Sequence, residues 1–318
     1  MLSPLYSAGG ALLVSSAVMF SPAAAADLRL VVPATPRTVT EAPEPLYAVS
    51  TRLDRIGRIV APVYINDQGP FLFMLDTGAN RTVLSAVAVK RLGLRIAAQS
   101  IAVQGVVGRG LAPTVQIRRL AAGALYLEDV ALPVLAGPVL ERLDGILGMD
   151  GLVDKKVTAD FVRDRVTISE SAGKRARSDR IVLFGKLISG QLLLIKGRVG
   201  RVPVKAVIDT GATRTLGNTA LQRALAEHGR RRAAASVTSV IDATEQWRRG
   251  ELASSPEIAL GRATIRSTDI TYGDFDIFRV WGLDDEPALL IGMDVLGTLA
   301  EVAIDYRRRE LQLLTRGS

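Results

Sequence analysis

The residues best suited to chemistry are two aspartates that open the same four-residue motif, DTGA. The motif begins at Asp76 and again at Asp209, so the two copies are 209 − 76 = 133 positions apart. Two carboxylates held about 3 Å apart cannot both ionise, and they share one proton. The ionised member can take a proton from water while the protonated member donates to a carbonyl oxygen. Because the proton belongs to the pair, we predict Asp76 and Asp209 to be joint catalytic residues.

The residues that follow each aspartate are suited to holding a carboxylate at a buried seam. The hydroxyls of Thr77 and Thr210 can hydrogen-bond across such a seam, and Gly78 and Gly211 let a second backbone approach the carboxyl group closely. A single DTG triplet also fits an ordinary turn with a capping aspartate. Two copies in matched surroundings favour the functional interpretation.

An internal duplication surrounds the two motifs. The segment ILGMD at residues 146–150 is echoed by LIGMD at 290–294, and VTADFVR at 157–163 is echoed by VAIDYRR at 302–308. Three landmarks repeated in one order indicate two copies of one structural unit. The spacing grows from 133 at the DTGA pair to 292 − 148 = 144 at the glycine pair, so the second unit contains extra residues, which we expect in surface loops.

Length and composition place the chain among globular proteins. It has 318 residues, of which 48% are hydrophobic and 23% charged, which is enough for two cores and excludes a disordered protein. The duplication predicts one lobe at residues 51–170, an interdomain linker at 171–186 and a second lobe at 187–316. Alternating apolar runs separated by turn residues predict hairpins throughout, with short helices after each DTGA motif.

The first 50 residues contain targeting and linker signals. An apolar stretch at residues 8–20 precedes Pro22 and four alanines, which predicts a secretory signal peptide over residues 1–26. The protein would then be periplasmic or secreted, and an uncleaved membrane anchor is the alternative. Residues 27–50 contain four prolines among polar residues, which predicts an extended linker.

The basic net charge of +8 arises from scattered runs, such as residues 230–232 and 307–309. Such a balance favours anionic partners, including a membrane or envelope surface. Aromatic residues make up only 5% of the chain and no nucleic-acid-binding signature occurs, so we predict a solvated basic surface and no nucleic-acid partner.

Other chemistries have weaker support in the sequence. The single histidine, His228, lies beside a basic run and has no serine-centred motif to serve, which predicts an exposed helix end. Two repeated acidic pairs, Asp150 with Asp294 and Asp160 with Asp305, are explained by the duplication and by hydrogen bonding at turns, so no metal site is predicted. The absence of cysteine excludes disulfides and thiolate metal sites.

Each half also contains a hairpin that could cover the motifs. Residues 101–117 form a hairpin whose tip is rich in glycine, which predicts a mobile tip. The matching tip in the second half, residues 240–244, lacks glycine, so the two tips are expected to behave differently. The candidate contact residues at these tips are Gly105, Val106, Val107, Gly108, Ile241 and Asp242.

On these features the chain resembles the retropepsin-like aspartyl proteases, in particular the bacterial exported branch in which two domains are fused. The resemblance covers residues 51–316 and rests on both DTGA motifs, the glycine-rich hairpin and the segments at 146–148 and 290–292. It implies an all-β fold of two β-barrel lobes that form a pseudodimer within one chain. It also implies a monomeric aspartic endopeptidase without a cofactor, which binds an extended polypeptide beneath two flaps and processes envelope or periplasmic proteins.

Two details bear on activity. In both motifs alanine follows Asp-Thr-Gly, as in retropepsins. Pepsin-like enzymes have a hydroxyl-bearing residue at this position, and the hydroxyl supports the outer carboxylate oxygen. Without that hydrogen bond to the charged form, the carboxyl pair should be less acidic, which predicts activity toward mildly acidic or neutral pH. The altered second tip leaves open a non-catalytic module that binds peptides by β-augmentation. Pairing of each half with another molecule is a further alternative, against which the short linker argues.

Overall fold

The computed structural model describes residues 58–189, 192–228, 236–266 and 268–316, together with the backbone of four short strands nearer the N-terminus. These four are β1 (Leu12–Leu13), β2 (Ala17–Phe20), β3 (Ala48–Ser50) and β4 (Arg52–Leu53). The rest of the predicted signal peptide and of the proline-rich linker lies outside the described residues. Within the described part of the chain, no helix is long and apolar enough to cross a membrane.

The first half is a series of hairpins around one short helix. Its elements are β5 (Ile59–Ile65), β6 (Gln68–Leu75), β7 (Val83–Ser85), α1 (Ala86–Arg91), β8 (Ile96–Gln104), β9 (Arg109–Ala122), β10 (Leu125–Leu135), a 3-10 helix (Pro138–Leu140), β11 (Gly145–Leu147), β12 (Lys155–Asp160) and β13 (Arg165–Glu170). Strands β5 and β6 form one of the predicted hairpins, and β6 ends at Leu75, directly before Asp76. Ser85 caps α1 by accepting the Ala88 N–H at 3.1 Å, and Gly93 follows its end at a φ of +63°.

The second half repeats this plan after a connecting segment. Its elements are β14 (Ile181–Phe184), β15 (Lys186–Ile188), β16 (Leu192–Val199), β17 (Val202–Ile208), β18 (Leu216–Gly217), α2 (Thr219–Glu227), β19 (Ser236–Asp242), β20 (Trp247–Ser254), β21 (Ile258–Leu260), β22 (Ala263–Ile265), β23 (Asp269–Tyr272), α3 (Asp276–Val280), β24 (Ala288–Ile291), α4 (Met293–Leu296), β25 (Glu301–Asp305) and β26 (Glu310–Leu314). Helix α2 begins where Asn218 accepts the Leu221 N–H at 2.8 Å.

The strand order shows the duplication directly. One sheet contains the sequence β9-β10-β7-β11-β6-β5, and a second contains β20-β23-β18-β24-β17-β16. In both, the strand before the DTGA motif pairs in parallel with the strand before the GMD segment: Leu75 lies opposite Leu147, and Ile208 opposite Ile291. The predicted mostly-β fold with two lobes is confirmed.

A third sheet joins the two halves, with the strand order β14-β26-β25-β12-β13-β3. At its centre β12 pairs with β25 so that Val157 lies opposite Ile304 and Ala159 opposite Val302. Val157 matches Val302 and Ala159 matches Ile304 in the duplication, so exchanging the halves reproduces the register. This is the pairing that a two-fold axis between the hairpins requires.

Both segments predicted as linkers supply a strand to this joining sheet. The interdomain linker predicted at 171–186 contains β14, which pairs with β26, and the proline-rich stretch at 27–50 ends in β3, which pairs with β13. Leu183 of β14 is buried. The lobe boundaries given by the sequence remain a prediction.

Candidate active site

The two DTGA aspartates occupy equivalent places at the ends of buried strands. The Asp76 N–H donates to the Leu147 carbonyl at 3.0 Å, and the Asp209 N–H donates to the Ile291 carbonyl at 3.0 Å. Both aspartates are fully buried. The neighbouring parallel strand therefore determines the depth at which each motif begins.

The threonines of the motifs tie the two loops together with four hydrogen bonds. The Thr77 N–H donates to Thr210 Oγ1 at 3.1 Å, and the Thr210 N–H donates to Thr77 Oγ1 at 3.0 Å. The two hydroxyls donate onward across the seam, Thr77 to the Ile208 carbonyl and Thr210 to the Leu75 carbonyl, each at 2.8 Å. Since both threonines are buried, water does not compete for these bonds.

The glycines of the motifs bring each loop against a carboxyl group. The Gly78 N–H donates to Asp76 Oδ1, and the Gly211 N–H donates to Asp209 Oδ1, both at 2.8 Å. A Cβ added at Gly211 would overlap the carboxyl group of Asp76. The Asp76 carboxyl group thus lies directly against the loop that carries Asp209, although 133 residues separate them in sequence.

A second pair of bonds supports each loop from behind, through residues that sequence analysis did not select. Thr82 donates through both N–H and hydroxyl to Asp150 Oδ1 at 2.9 and 2.6 Å. Thr215 donates in the same way to the two oxygens of Asp294 at 3.0 and 2.8 Å. Burial raises the pKa of both carboxyl groups, and the threonine bonds oppose that rise. Sequence analysis named the two aspartates but neither threonine; the Arg-Thr repeated one residue after each DTGA motif is the signal that could have identified Thr82 and Thr215.

The glycines of the repeated Gly-Met-Asp segments, Gly148 and Gly292, allow the threonine–aspartate hydrogen bonds to form. A Cβ at Gly148 would overlap the backbone of Arg81, and one at Gly292 would overlap that of Arg214. The chain after each DTGA motif therefore passes closer to the GMD segment than any side chain would allow.

The other acidic residues and the histidine have local roles. Asp160 Oδ1 accepts the Val162 and Arg163 N–H groups, and Asp305 accepts the Ser171 hydroxyl at 2.8 Å, as expected of turn and strand-end residues. His228 is exposed at the end of α2, with Nδ1 2.8 Å from the Ala224 carbonyl. Among the described residues, no three His, Cys, Asp or Glu side chains are grouped to hold a metal ion.

The two hairpin tips, which we call flap 1 (residues 105–108) and flap 2 (residues 242–246), bond to each other. The Val107 N–H of flap 1 donates to Asp242 Oδ2 of flap 2 at 2.9 Å. Asp242 Oδ1 accepts the N–H and hydroxyl of Thr244 at 2.9 and 2.7 Å, so the carboxylate also closes its own turn. Burial raises the pKa of Asp242, and these hydrogen bonds oppose the rise.

The glycines of flap 1 serve close packing in this arrangement. A Cβ at Gly105 would overlap the Asp242 carboxyl group, and one at Gly108 would lie 2.6 Å from the Gln246 side chain. The two tips therefore contribute different groups to their contact: flap 1 contributes a backbone N–H group and glycines without side chains, and flap 2 contributes the Asp242 carboxylate. Ile241, partly buried, lies opposite Trp247 at the base of flap 2.

Each flap tip is buried in the opposite half. Val106 and Val107 belong to an apolar cluster of the second half that includes Phe275 and Phe278, and the Ile277 N–H donates to the Val106 carbonyl at 3.0 Å. Ala243 of flap 2 lies in the matching apolar cluster of the first half. The helix that receives flap 1, α3, lies where the first half has only a 3-10 helix, so part of the expected surface insertion is buried.

Tyr306 is a buried neighbour of the site that the sequence did not single out. Its hydroxyl donates to Met149 Sδ at 2.6 Å. Burial, and then the negative charge of Asp76, raise the pKa of Tyr306, so it stays protonated near neutral pH. The duplication places Phe161 at the equivalent position, so only the second half brings a hydroxyl here.

Comparison with known families agrees with the duplicated geometry. The family model described as aspartyl protease matches the chain in two segments, residues 61–150 and 195–295. Each segment contains one DTGA motif, and together they cover more than half of the chain. No curated protein matches the sequence.

Proposed function

Because this chain belongs to the aspartyl protease family, we propose that it is an aspartic endopeptidase in which Asp76 and Asp209 activate one water molecule. The observation that carries the proposal is the contact between the Gly211 backbone and the Asp76 carboxyl group. Both carboxyl groups are buried and the two loops share four hydrogen bonds, which suits a pair that shares one proton.

The mechanism follows from what the surrounding groups do. The ionised carboxylate of the pair accepts a proton from water as the water oxygen attacks the peptide carbonyl carbon, and the protonated carboxyl group donates to the carbonyl oxygen. When the tetrahedral intermediate collapses, the carboxyl group that took the water proton donates it to the leaving nitrogen as the C–N bond breaks, and the other carboxylate takes back the proton from the former carbonyl oxygen, so the pair again shares one proton. The Gly78 and Gly211 N–H groups hold one oxygen of each carboxyl group, and the threonine bonds keep the loops at a constant separation.

The proposed substrate is a polypeptide bound as an extended strand beneath the two flaps, with no cofactor. The enzyme would work as a monomer, since one chain supplies both halves of the site. We place it in the periplasm or outside the cell, within the exported bacterial branch, where the basic surface suits association with an anionic envelope. Its targets there would be envelope or periplasmic proteins.

Single carboxyl-to-amide variants test the dyad. Asp76→Asn and Asp209→Asn should each lower cleavage of an unfolded protein substrate by about 100- to 10,000-fold, the usual contribution of a general acid or base. Asp154→Asn is the matched control, because Asp154 is an exposed aspartate outside both motifs. Full activity in either dyad variant would rule out a shared proton.

A peptide-binding module without turnover is the second candidate. The observation in its favour is that the two flap tips differ, since flap 2 has no glycine and contributes the Asp242 carboxylate that accepts the Val107 N–H. If the wild-type protein bound peptides but left them intact at every pH, and the Asp76→Asn variant bound them equally well, this second function would be correct.

A further inference from the structure

The two flap hairpins, β8–β9 and β19–β20, expose large apolar side chains on their outer surface. Leu111 of β9, Val237 of β19 and Trp247 of β20 are 77%, 74% and 62% exposed, and no other large apolar side chain of the described residues is more exposed than Leu111. Single exposed apolar residues are common on proteins, whereas a group of them on one surface indicates a contact with another molecule. These three therefore indicate a contact if the fold places them on one surface.

The strand register places Val237 and Trp247 on the same face of the hairpin β19–β20. Trp247 lies opposite Ile241, and Val237 is four residues before Ile241 on the same strand. Opposed residues, and residues two or four apart along a strand, direct their side chains to one face of a sheet. Val240 and Asp242 alternate with this set and are fully buried, so the face that carries Trp247 is the outer one.

The outer faces of the two hairpins adjoin. A Cβ added at Gly110 would lie 3.7 Å from the Thr244 Cβ, so the hairpins are in contact beside their tips. Leu111 directly follows Gly110, and its neighbour Ala112 is buried, so Leu111 belongs to the outer face of its hairpin. Because a two-fold axis relates the hairpins, both outer faces are directed to the same side of the molecule. Leu111 and Trp247 therefore lie on one surface.

Two arginines accompany the apolar side chains on this surface. Arg249 is two residues after Trp247 on β20, and Arg109 is two residues before Leu111 on β9, so each lies on the same face as its apolar neighbour. Both arginines are exposed, and neither forms an ion pair within the part of the chain that the structure describes. We call this set the outer flap surface: Arg109, Leu111, Val237, Trp247 and Arg249.

The charge around the outer flap surface favours an anionic partner. Of two nearby glutamates, Glu245 is exposed in flap 2, whereas Glu251 lies at the base of its hairpin and accepts the Gln222 side-chain N–H at 2.8 Å. The chain as a whole has a net charge of +8. A negatively charged surface would therefore attract the protein, and the two unpaired guanidinium groups can bind phosphate oxygens.

We propose that the outer flap surface docks on an anionic lipid bilayer, with Trp247 and Leu111 among the headgroups and Arg109 and Arg249 bound to lipid phosphates. Tryptophan is enriched at membrane–water interfaces, and interfacial binding grows with buried apolar area and with attraction to anionic lipids. A patch of three apolar side chains is small beside the about 800 Å² that each partner contributes to a stable protein interface, which favours a lipid surface over a protein. Docking does not depend on the proposed protease function, whereas its consequence, cleavage of polypeptides close to a membrane, rests on that function.

Tryptophan fluorescence reports the docking locally. The chain has two tryptophans, of which Trp247 is exposed and Trp281 is buried. When vesicles of phosphatidylglycerol and phosphatidylcholine are added to the full chain, the emission of Trp247 should move to shorter wavelength, and brominated lipids should quench it. Trp247→Phe leaves only Trp281 and should show neither effect. An unchanged emission in the wild type, or an equal change in Trp247→Phe, would overturn the proposal.

Serine substitutions test the apolar side chains by sedimentation with the same vesicles. Leu111→Ser/Trp247→Ser should weaken binding at least about tenfold. Val87→Ser/Phe184→Ser is the control, because these residues are 65% and 74% exposed but lie outside the flap hairpins. Residues 1–26 are present in both variants, so the difference between the variants reports the flap hairpins. Equal binding would contradict the proposal, as would a wild type that pairs with a second copy through this surface and leaves vesicles unbound.

Glutamine substitutions separate the outer flap surface from the overall charge. Arg109→Gln/Arg249→Gln and Arg201→Gln/Arg262→Gln remove the same charge from exposed positions, but only the first pair lies on the flap hairpins. The first should weaken binding to the anionic vesicles by about 25-fold, since each basic residue at such a surface contributes about fivefold, and the second by less than about twofold. Equal weakening would show attraction by net charge alone and refute the proposal. Docking with all these differences but without peptide cleavage at any pH would support the lipid contact and remove the proposed protease function.

Discussion

Replacement of Thr77 by valine removes a hydroxyl but keeps the shape of the side chain, so it isolates the bonds that join the two DTGA loops. The hydroxyl donates to the Ile208 carbonyl at 2.8 Å and accepts the Thr210 N–H at 3.0 Å. Valine can do neither. Because Thr77 is buried, both backbone groups would lose their partner without gaining water.

The expected cost follows from those two groups. A buried polar group left unsatisfied costs about 1–3 kcal/mol, so Thr77→Val should lower the free energy of unfolding by about 2–6 kcal/mol. Folded proteins have only about 5–15 kcal/mol in total, so the change is large. Thr77→Ser keeps both bonds and loses one methyl group, at a cost of about 1 kcal/mol. Thr210→Val should cost about as much as Thr77→Val, because its bonds are the two-fold equivalents.

Urea denaturation of the wild type, Thr77→Val, Thr77→Ser and Thr210→Val measures these differences in the free energy of unfolding. Peptide cleavage by the same four proteins measures the effect on the Asp76–Asp209 pair. As urea is added, we expect the valine variants to lose peptide cleavage at a lower urea concentration than the one that unfolds them, since the two DTGA loops separate before the lobes unfold. If Thr77→Val proved as stable as Thr77→Ser, the hydrogen bonds would not be what holds the loops together. A large difference between Thr77→Val and Thr210→Val would contradict the symmetry of the site.

Three further predictions concern the site. Gly211→Ala should reduce cleavage by at least about 100-fold, since its Cβ overlaps the Asp76 carboxyl group, whereas Gly110→Ala, whose Cβ has room, should stay active. Burial raises the pKa of Asp242, so the folded protein holds the Asp242 proton more tightly than the unfolded chain does. The free energy of unfolding should therefore fall as pH rises from about 4 toward the raised pKa. In Asp242→Asn this contribution to the fall should disappear, and a pH dependence equal to that of the wild type would contradict the prediction. Ala79→Ser should move the pH–activity profile toward acid, because the hydroxyl supports the ionised carboxylate, and a wild-type profile confined to strong acid would refute the reasoning.

Elements with local signals could be predicted from the sequence. Helix α2 follows the second DTGA motif as expected and begins at Thr219 because Asn218 caps it, and the β5–β6 hairpin forms because its turn residues suit positive φ. The approach of the two DTGA loops to each other is a long-range feature, yet the duplication predicted it, since a repeated motif in a repeated fold implies a shared axis. The same duplication accounts for the acidic residues of the GMD segments.

Contacts without a repeated or local signal were decided by tertiary structure alone. Nothing near Asp242 in sequence indicates that its carboxylate accepts the Val107 N–H, because this bond joins the two places where the duplicated flaps differ. The partners of β1, β2 and β14 likewise depend on which sheet edges the folded lobes leave open. The sequence by itself therefore determined the two units, their motifs and their symmetry. The sequence also showed where the two units differ, but the contacts made at those places were decided only by tertiary packing, because each depends on surfaces brought together from remote parts of the chain.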